Sequence, residues 1–107
     1  MLTAEQKQIV QKARDRIADR RRWCTGVEAR LADGQTCYVG HPRAAKFCAF
    51  GALHRECLAV TGLDGALAMA ESVARLIRPD RAPLSDIDDG MNGHAKVLAL
   101  FDKALAE

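Results

Sequence analysis

Apolar residues recur with a helical period over most of the chain. Thr3 with Gln6 makes a capping-box start, and Val10, Ala13 and Ile17 then share one face among Lys, Arg, Asp and Gln. This predicts a first helix over about residues 4–21. The run Arg20-Arg21-Arg22 falls at its end, where positive charge complements the carbonyl end of the helix dipole. Residues 23–32 continue a partly helical pattern up to the turn dipeptide Asp33-Gly34. Thr36, Cys37, Tyr38 and Val39 then form a β-favouring stretch between glycines, too short for a sheet and read as an extended loop near residues 36–39.

Pro42 suits the first position of the next helix, Arg43 to about Val60, which is apolar or small almost all round from Ala44 to Leu53 and therefore central and buried. A glycine inside a helix costs about 1 kcal/mol relative to alanine. Gly51, beside Ala45, Cys48, Ala49 and Ala52, accordingly points to another helix crossing at close range. Thr61 with Asp64 offers a cap for the following helix, whose stripe is Leu63, Leu67, Ala70, Val73 or Ala74, and Ile77; Pro79 ends it. Residues 79–92 are the main loop, with Pro79, Pro83, the acidic Asp86, Asp88 and Asp89, and the Asn92-Gly93 turn. A last helix over about 93–106 carries Val97, Leu98, Phe101, Ala104 and Leu105 toward the central helix. The pattern as a whole predicts an all-α fold, a single compact domain over residues 1–107 with four to five helices.

Composition narrows the classes. A chain of 107 residues has room for one core, and its balance of apolar and charged residues excludes disorder and collagen-like sequence. Net charge is only +2, yet residues 1–46 carry ten basic against five acidic side chains while residues 47–107 carry six against nine. A basic half and an acidic half suit complementary faces within one fold or contact with an acidic partner. No apolar stretch marks a signal peptide or spans a bilayer, so no membrane partner and a cytoplasmic location are expected. The four cysteines form no C-x-x-C pair, and in that compartment they are expected as reduced thiols.

Several segments together resemble a known family. Trp23-Cys24-Thr25-Gly26, Ala29-Arg30, Ala32-Asp33-Gly34, Ala45 to Cys48 with Gly51-Ala52-Leu53, Ile87-Asp88-Asp89 and Val97-Leu98-Ala99-Leu100-Phe101 follow one another in that order. They resemble a family of small bacterial proteins of unknown function with W-C-x-G, A-D-G, C-x-x-G-A-L, W-N-D and V-L-x-L elements. Ile87 and Asp88 depart from its tryptophan and asparagine. The resemblance implies a shared helical fold and brings no substrate, cofactor or catalytic residue.

Four constellations carry possible chemistry. Cys48 would be a nucleophile if His94 served as its base and Asp86 or Asp89 oriented that histidine, but a place two turns into an apolar helix suits packing better. Cys24 is expected to pack close to the same helix. Cys37-x3-His41 and His54-x2-Cys57 offer two thiolates and two imidazoles to zinc, provided the loop at Cys37 folds back along a rigid helix. Asp86, Asp88 and Asp89 fail the calcium-loop spacing and suit turn capping. Arg14, Arg16 and Arg20 to Arg22, with Trp23 or Tyr38 for stacking, make a weak nucleic-acid surface that Asp15 and Asp19 interrupt.

The expected function is thus a non-enzymatic cytoplasmic helical module with no cofactor. It binds a protein partner, or itself through its small-residue helix surface, and the candidate contact residues are Arg20, Arg21, Arg22, Trp23, Asp88 and Asp89. A thiol- or zinc-dependent site and weak nucleic-acid binding are the alternatives.

Overall fold

The computed structural model describes residues 2–78 and 93–107. The loop expected over 79–92, and with it Asp86, Asp88 and Asp89, lies outside the described residues. Helix α1 (Ala4–Arg16) begins with the capping box: the Gln6 amide donates to Thr3 Oγ1 at 3.1 Å and the Thr3 amide to Gln6 Oε1 at 2.8 Å. Val10, Ala13 and Ile17 are fully buried, as their spacing requires.

The helix stops at Arg16, earlier than its charge pattern suggests. Asp19 takes the Arg21 amide at 2.9 Å and starts a separate 3-10 turn, Arg20–Arg22. A short carboxylate that bonds nearby backbone competes with helix continuation. The three arginines therefore belong to a turn of their own.

Residues 23–32, read as partly helical, are extended and turned. They hold strand β1 (Ala29–Arg30), which pairs antiparallel with β2 (Lys46–Phe47) in the register Ala29 to Phe47 and Arg30 to Lys46. The loop near 36–39 stays outside this sheet except for a single bridge from Thr36 to Arg30.

Pairing also moves the start of the central helix. Residues 43–47 are not helical, because the Ala45 amide donates to the Arg30 carbonyl at 2.9 Å and the Cys48 amide to the Glu28 carbonyl at 3.2 Å. A buried, low-polarity run reads equally as strand or helix until its partner is known. Helix α2 is Ala49–Thr61, with Cys48 at its N-cap.

Gly51 does mark a close approach, but to a strand-like segment and not to a helix. A Cβ at this position would lie 2.0 Å from the Glu28 carbonyl oxygen. Ala49, Gly51 and Ala52 of the small-residue surface are thereby covered from within the chain.

Helix α3 (Leu63–Ile77) follows Gly62, which adopts φ +73°. The cap expected from Thr61 and Asp64 does not form: Thr61 Oγ1 donates back to the Cys57 carbonyl at 3.2 Å, and no side chain caps α3. Asp64 and Gly65 leave helical geometry, Gly65 at φ +91°, so the regular period starts at Ala66. The first turn is rotated out of the core as a result. Leu63 and Leu67, expected on the buried stripe, are 76% and 49% exposed, while Ala66, Ala70, Val73, Ala74 and Ile77 face inward.

Helix α4 (Gly93–Ala106) buries Val97, Phe101 and Ala104 and half-buries Leu98 and Leu105. It packs on α1 and to a lesser extent on α3, and α2 instead packs on α1 and most extensively on α3. The result is a predominantly helical domain of four α-helices around one apolar core, with a two-stranded ribbon on one side.

Candidate functional site

The ribbon side carries a groove of about 510 Å³ lined by Arg16, Arg21, Arg22, Ala32, Ala44, Ala45, Lys46 and Phe47. Four cations thus surround a floor of three alanines and one ring. Arg16 comes from the end of α1, Arg21 and Arg22 from the 3-10 turn, and Lys46 with Phe47 from β2.

Backbone bonds hold these pieces in register. The turn closes through the Arg22 amide on the Asp19 carbonyl at 2.8 Å and the Trp23 amide on the Arg20 carbonyl at 3.2 Å. Trp23 then bridges Phe47 in parallel, and the Cys24 amide donates to the Phe47 carbonyl at 3.1 Å. Arg55 of α2 donates to the carbonyls of Val39 (2.9 Å) and His41 (2.8 Å), which pins the loop behind β2. Its guanidinium and that of Arg16 both lie over the buried Phe47 ring, at 5.8 and 5.3 Å from the centroid.

The four cations differ in how far their charge is offset. Glu56, buried on α2, accepts Arg16 Nε at 2.8 Å and Nη2 at 2.7 Å on one oxygen. Asp19 accepts Arg21 Nη2 at 2.8 Å and Nε at 3.2 Å. The side-chain hydrogen bonds from Arg21, then its amide, hold the Asp19 carboxyl down at about 2, and the same contact raises Arg21. Arg22 Nη2 donates to the Asp15 backbone carbonyl at 3.3 Å. Among the described residues no carboxylate forms an ion pair with Arg22 or Lys46.

Of the candidate contact residues, Arg21 and Arg22 line the groove, whereas Arg20 stands outside it with its guanidinium 6.0 Å from the Trp23 ring centre. Trp23 is half-buried and stacks at a tilt on His94, ring centres 5.2 Å apart. Arg16 belonged to the basic stretch weighed for nucleic acid, whereas Lys46, Phe47 and the alanines were not candidate contact residues. Arg16 reads as one more charge on an amphipathic helix, and Lys46 sits in a stretch that looks helical. The one available signal was Asp19, a capping residue placed just ahead of three arginines.

The other constellations separate. Cys48 is not two turns into a helix but at the N-cap of α2, where its buried Sγ accepts the Gly51 amide at 3.3 Å. His94 Nε2 donates to the Ile17 carbonyl at 2.7 Å. The Cys24 amide does lie against the Phe47-Cys48 segment, and its thiol donates to the Val27 carbonyl at 3.8 Å.

Three members of the zinc quartet have separate surroundings. His41 Nδ1 accepts the Arg43 amide at 2.9 Å, His54 Nδ1 bonds Glu28 Oε1 at 2.7 Å, and Cys57 is fully buried. Burial, with a smaller contribution from the Glu56 charge, pushes the Cys57 thiol up to about 11. Among the described residues no three His, Cys, Asp or Glu side chains gather as a metal-binding cluster.

Over residues 1–107 the chain matches a family of unknown function, DUF6197, and belongs to it. No curated protein and no solved structure matches the chain. Among the described residues no helix is long and apolar enough to cross a membrane.

Proposed function

We propose that this chain is a non-enzymatic helical module that binds a protein partner, with the basic groove as its binding face and an acidic segment as what it recognises. The observation that carries this reading is the groove itself, in which four cationic side chains surround a floor of Ala32, Ala44, Ala45 and Phe47. Charge of one sign over an apolar floor favours a partner with acidic side chains on an aliphatic stem.

A nucleic acid fits this groove less well. Non-sequence-specific binding of single strands draws on exposed rings for base stacking. Phe47 is buried beneath two guanidinium groups, Trp23 is packed against His94, and Tyr38 does not line the groove. The free cysteines accord with a reducing compartment, and the cytoplasm of a bacterium is the setting of this proposal.

Fluorescence anisotropy with an Asp/Glu-rich peptide of twelve residues, beside a single-stranded RNA of equal charge, tests the reading. Saturable peptide binding that weakens with salt and is lost in Arg22→Glu and Lys46→Glu is the expected result. Tighter binding of the RNA, lost in the same variants, would turn the groove into a nucleic-acid surface. Absence of peptide binding would remove the proposal.

A further inference from the structure

We infer that the feature recognised in the groove is a phosphate monoester on the partner, held between Arg22 and Lys46; this rests on the reading of the groove as a binding face for an acidic protein segment. The argument is one of charge and its placement. Of the four cations lining the groove, Arg16 is offset by the buried Glu56 and Arg21 by Asp19, each through two short contacts. Among the described residues Arg22 and Lys46 form no ion pair with a carboxylate, the Asp19 charge reaching Arg22 only as the smallest of the influences on that carboxyl. Two cations that form no ion pair among the described residues suit one phosphate monoester, which carries about −1.5 to −2 near neutral pH and three acceptor oxygens. A single carboxylate would leave one of the two cations unmatched.

The two side chains also supply complementary recognition. A guanidinium presents a planar fork of donors, and an ammonium is a compact charge with three rotatable donors. Arg22 commits one donor, through Nη2, to the Asp15 carbonyl, which anchors the side chain while leaving further N–H groups for a ligand. Ala32, Ala44 and Ala45 line the same groove and offer apolar surface beside the two charges. The source favoured here is a phosphorylated side chain, because the groove has an apolar floor to take the stem that carries the phosphate.

Three fluorescein-labelled acidic peptides, identical except for a central Ser, Glu or phosphoserine, are titrated at fixed ionic strength at pH 7.5 and pH 5, with inorganic phosphate as competitor. The phosphopeptide is expected to bind about tenfold tighter than the Ser peptide and severalfold tighter than the Glu peptide. That advantage should shrink at pH 5, below the second phosphate pKa of about 6. Arg22→Gln and Lys46→Gln, each checked for native folding by circular dichroism, should abolish the advantage of the phosphopeptide and weaken the binding of all three peptides.

Equal affinity for the three peptides overturns the phosphate inference and leaves the acidic-segment reading standing. No binding of any peptide overturns both. Inorganic phosphate that binds as tightly as the phosphopeptide overturns the partner-borne source in favour of a small-anion site.

Discussion

The helical layer and the segment from Ala18 to Cys48 are held by different forces. In the helices the buried positions are apolar and closely spaced: Val10, Ala13 and Ile17 with α1, Leu53 and Cys57 on α2, Ala70 and Val73 on α3, Val97 and Phe101 on α4. The 18–48 segment buries few side chains, chiefly Cys24, Ala29, Val39, Phe47 and Cys48. Directional bonds replace them. Its amides and carbonyls close on each other at Cys24 to Phe47, Cys37 to Ala29 and Cys48 to Glu28, and the guanidinium groups of Arg30 and Arg55 tie down the carbonyls of Gly34, Thr25, Val39 and His41. Apolar burial makes a rigid platform, and the bonded segment carries the groove upon it, a division of labour common to binding loops on stable scaffolds.

This contrast can be broken from the helical side first. Phe101→Ala empties a fully buried site on α4 and should destabilise the protein by about 4 kcal/mol, read from chemical denaturation. A loss below about 1 kcal/mol would mean that α4 is not part of the platform. Gly51→Ala strikes the junction between the two regions: the new methyl would meet the Glu28 carbonyl, and a loss of about 3 kcal/mol is expected.

Arg55→Met keeps the stem but removes two bonds to loop carbonyls and the cation over Phe47, for about 2 kcal/mol. Its signature should be local, with amides of residues 36–47 exchanging hydrogen faster while those of α1 and α4 keep their protection. Uniform loss of protection would dissolve the distinction between platform and segment.

The smallest effect is a matter of pH. Cys57 is fully buried in the helical layer and its thiol is raised to about 11 from an ordinary value near 9. The unfolded chain therefore releases this proton first, so the contribution is intact below pH 9 and stability falls as pH rises toward 11, by up to about 2 kcal/mol. Denaturation midpoints at pH 8, 9, 10 and 11 should fall less steeply in Cys57→Ala than in the parent chain; parallel curves would show that this thiol is not what the alkaline range titrates.

How much of this was legible in the sequence follows the same divide. The start of α1, the buried face of Val10, Ala13 and Ile17, and the bounds of α4 were readable because a capping box and a 3.6-residue period are local. The Asp33-Gly34 turn was readable for the same reason, with Gly34 at φ +94° and the Gln35 amide on Asp33 Oδ1 at 3.0 Å. The α2 start at Ala49 and the outward rotation of Leu63 and Leu67 were not. One depends on a strand partner, and the other on a backbone break at Asp64-Gly65. Three arginines of the groove, Arg16, Arg21 and Arg22, were read as one basic stretch at the end of the first helix, but nothing local joins them to Lys46.

What the amino-acid order determined by itself is a mostly helical chain with one apolar core, its first and last helices in place, because those features depend on residues within one or two turns of each other. The tertiary structure alone decided the course of residues 17–48, the pairing of Ala29 with Phe47, of Arg16 with Glu56 and of Gly51 with Glu28, and hence the groove. Each of those contacts joins positions at least eighteen residues apart in the chain, where the partner and not the local pattern selects the conformation.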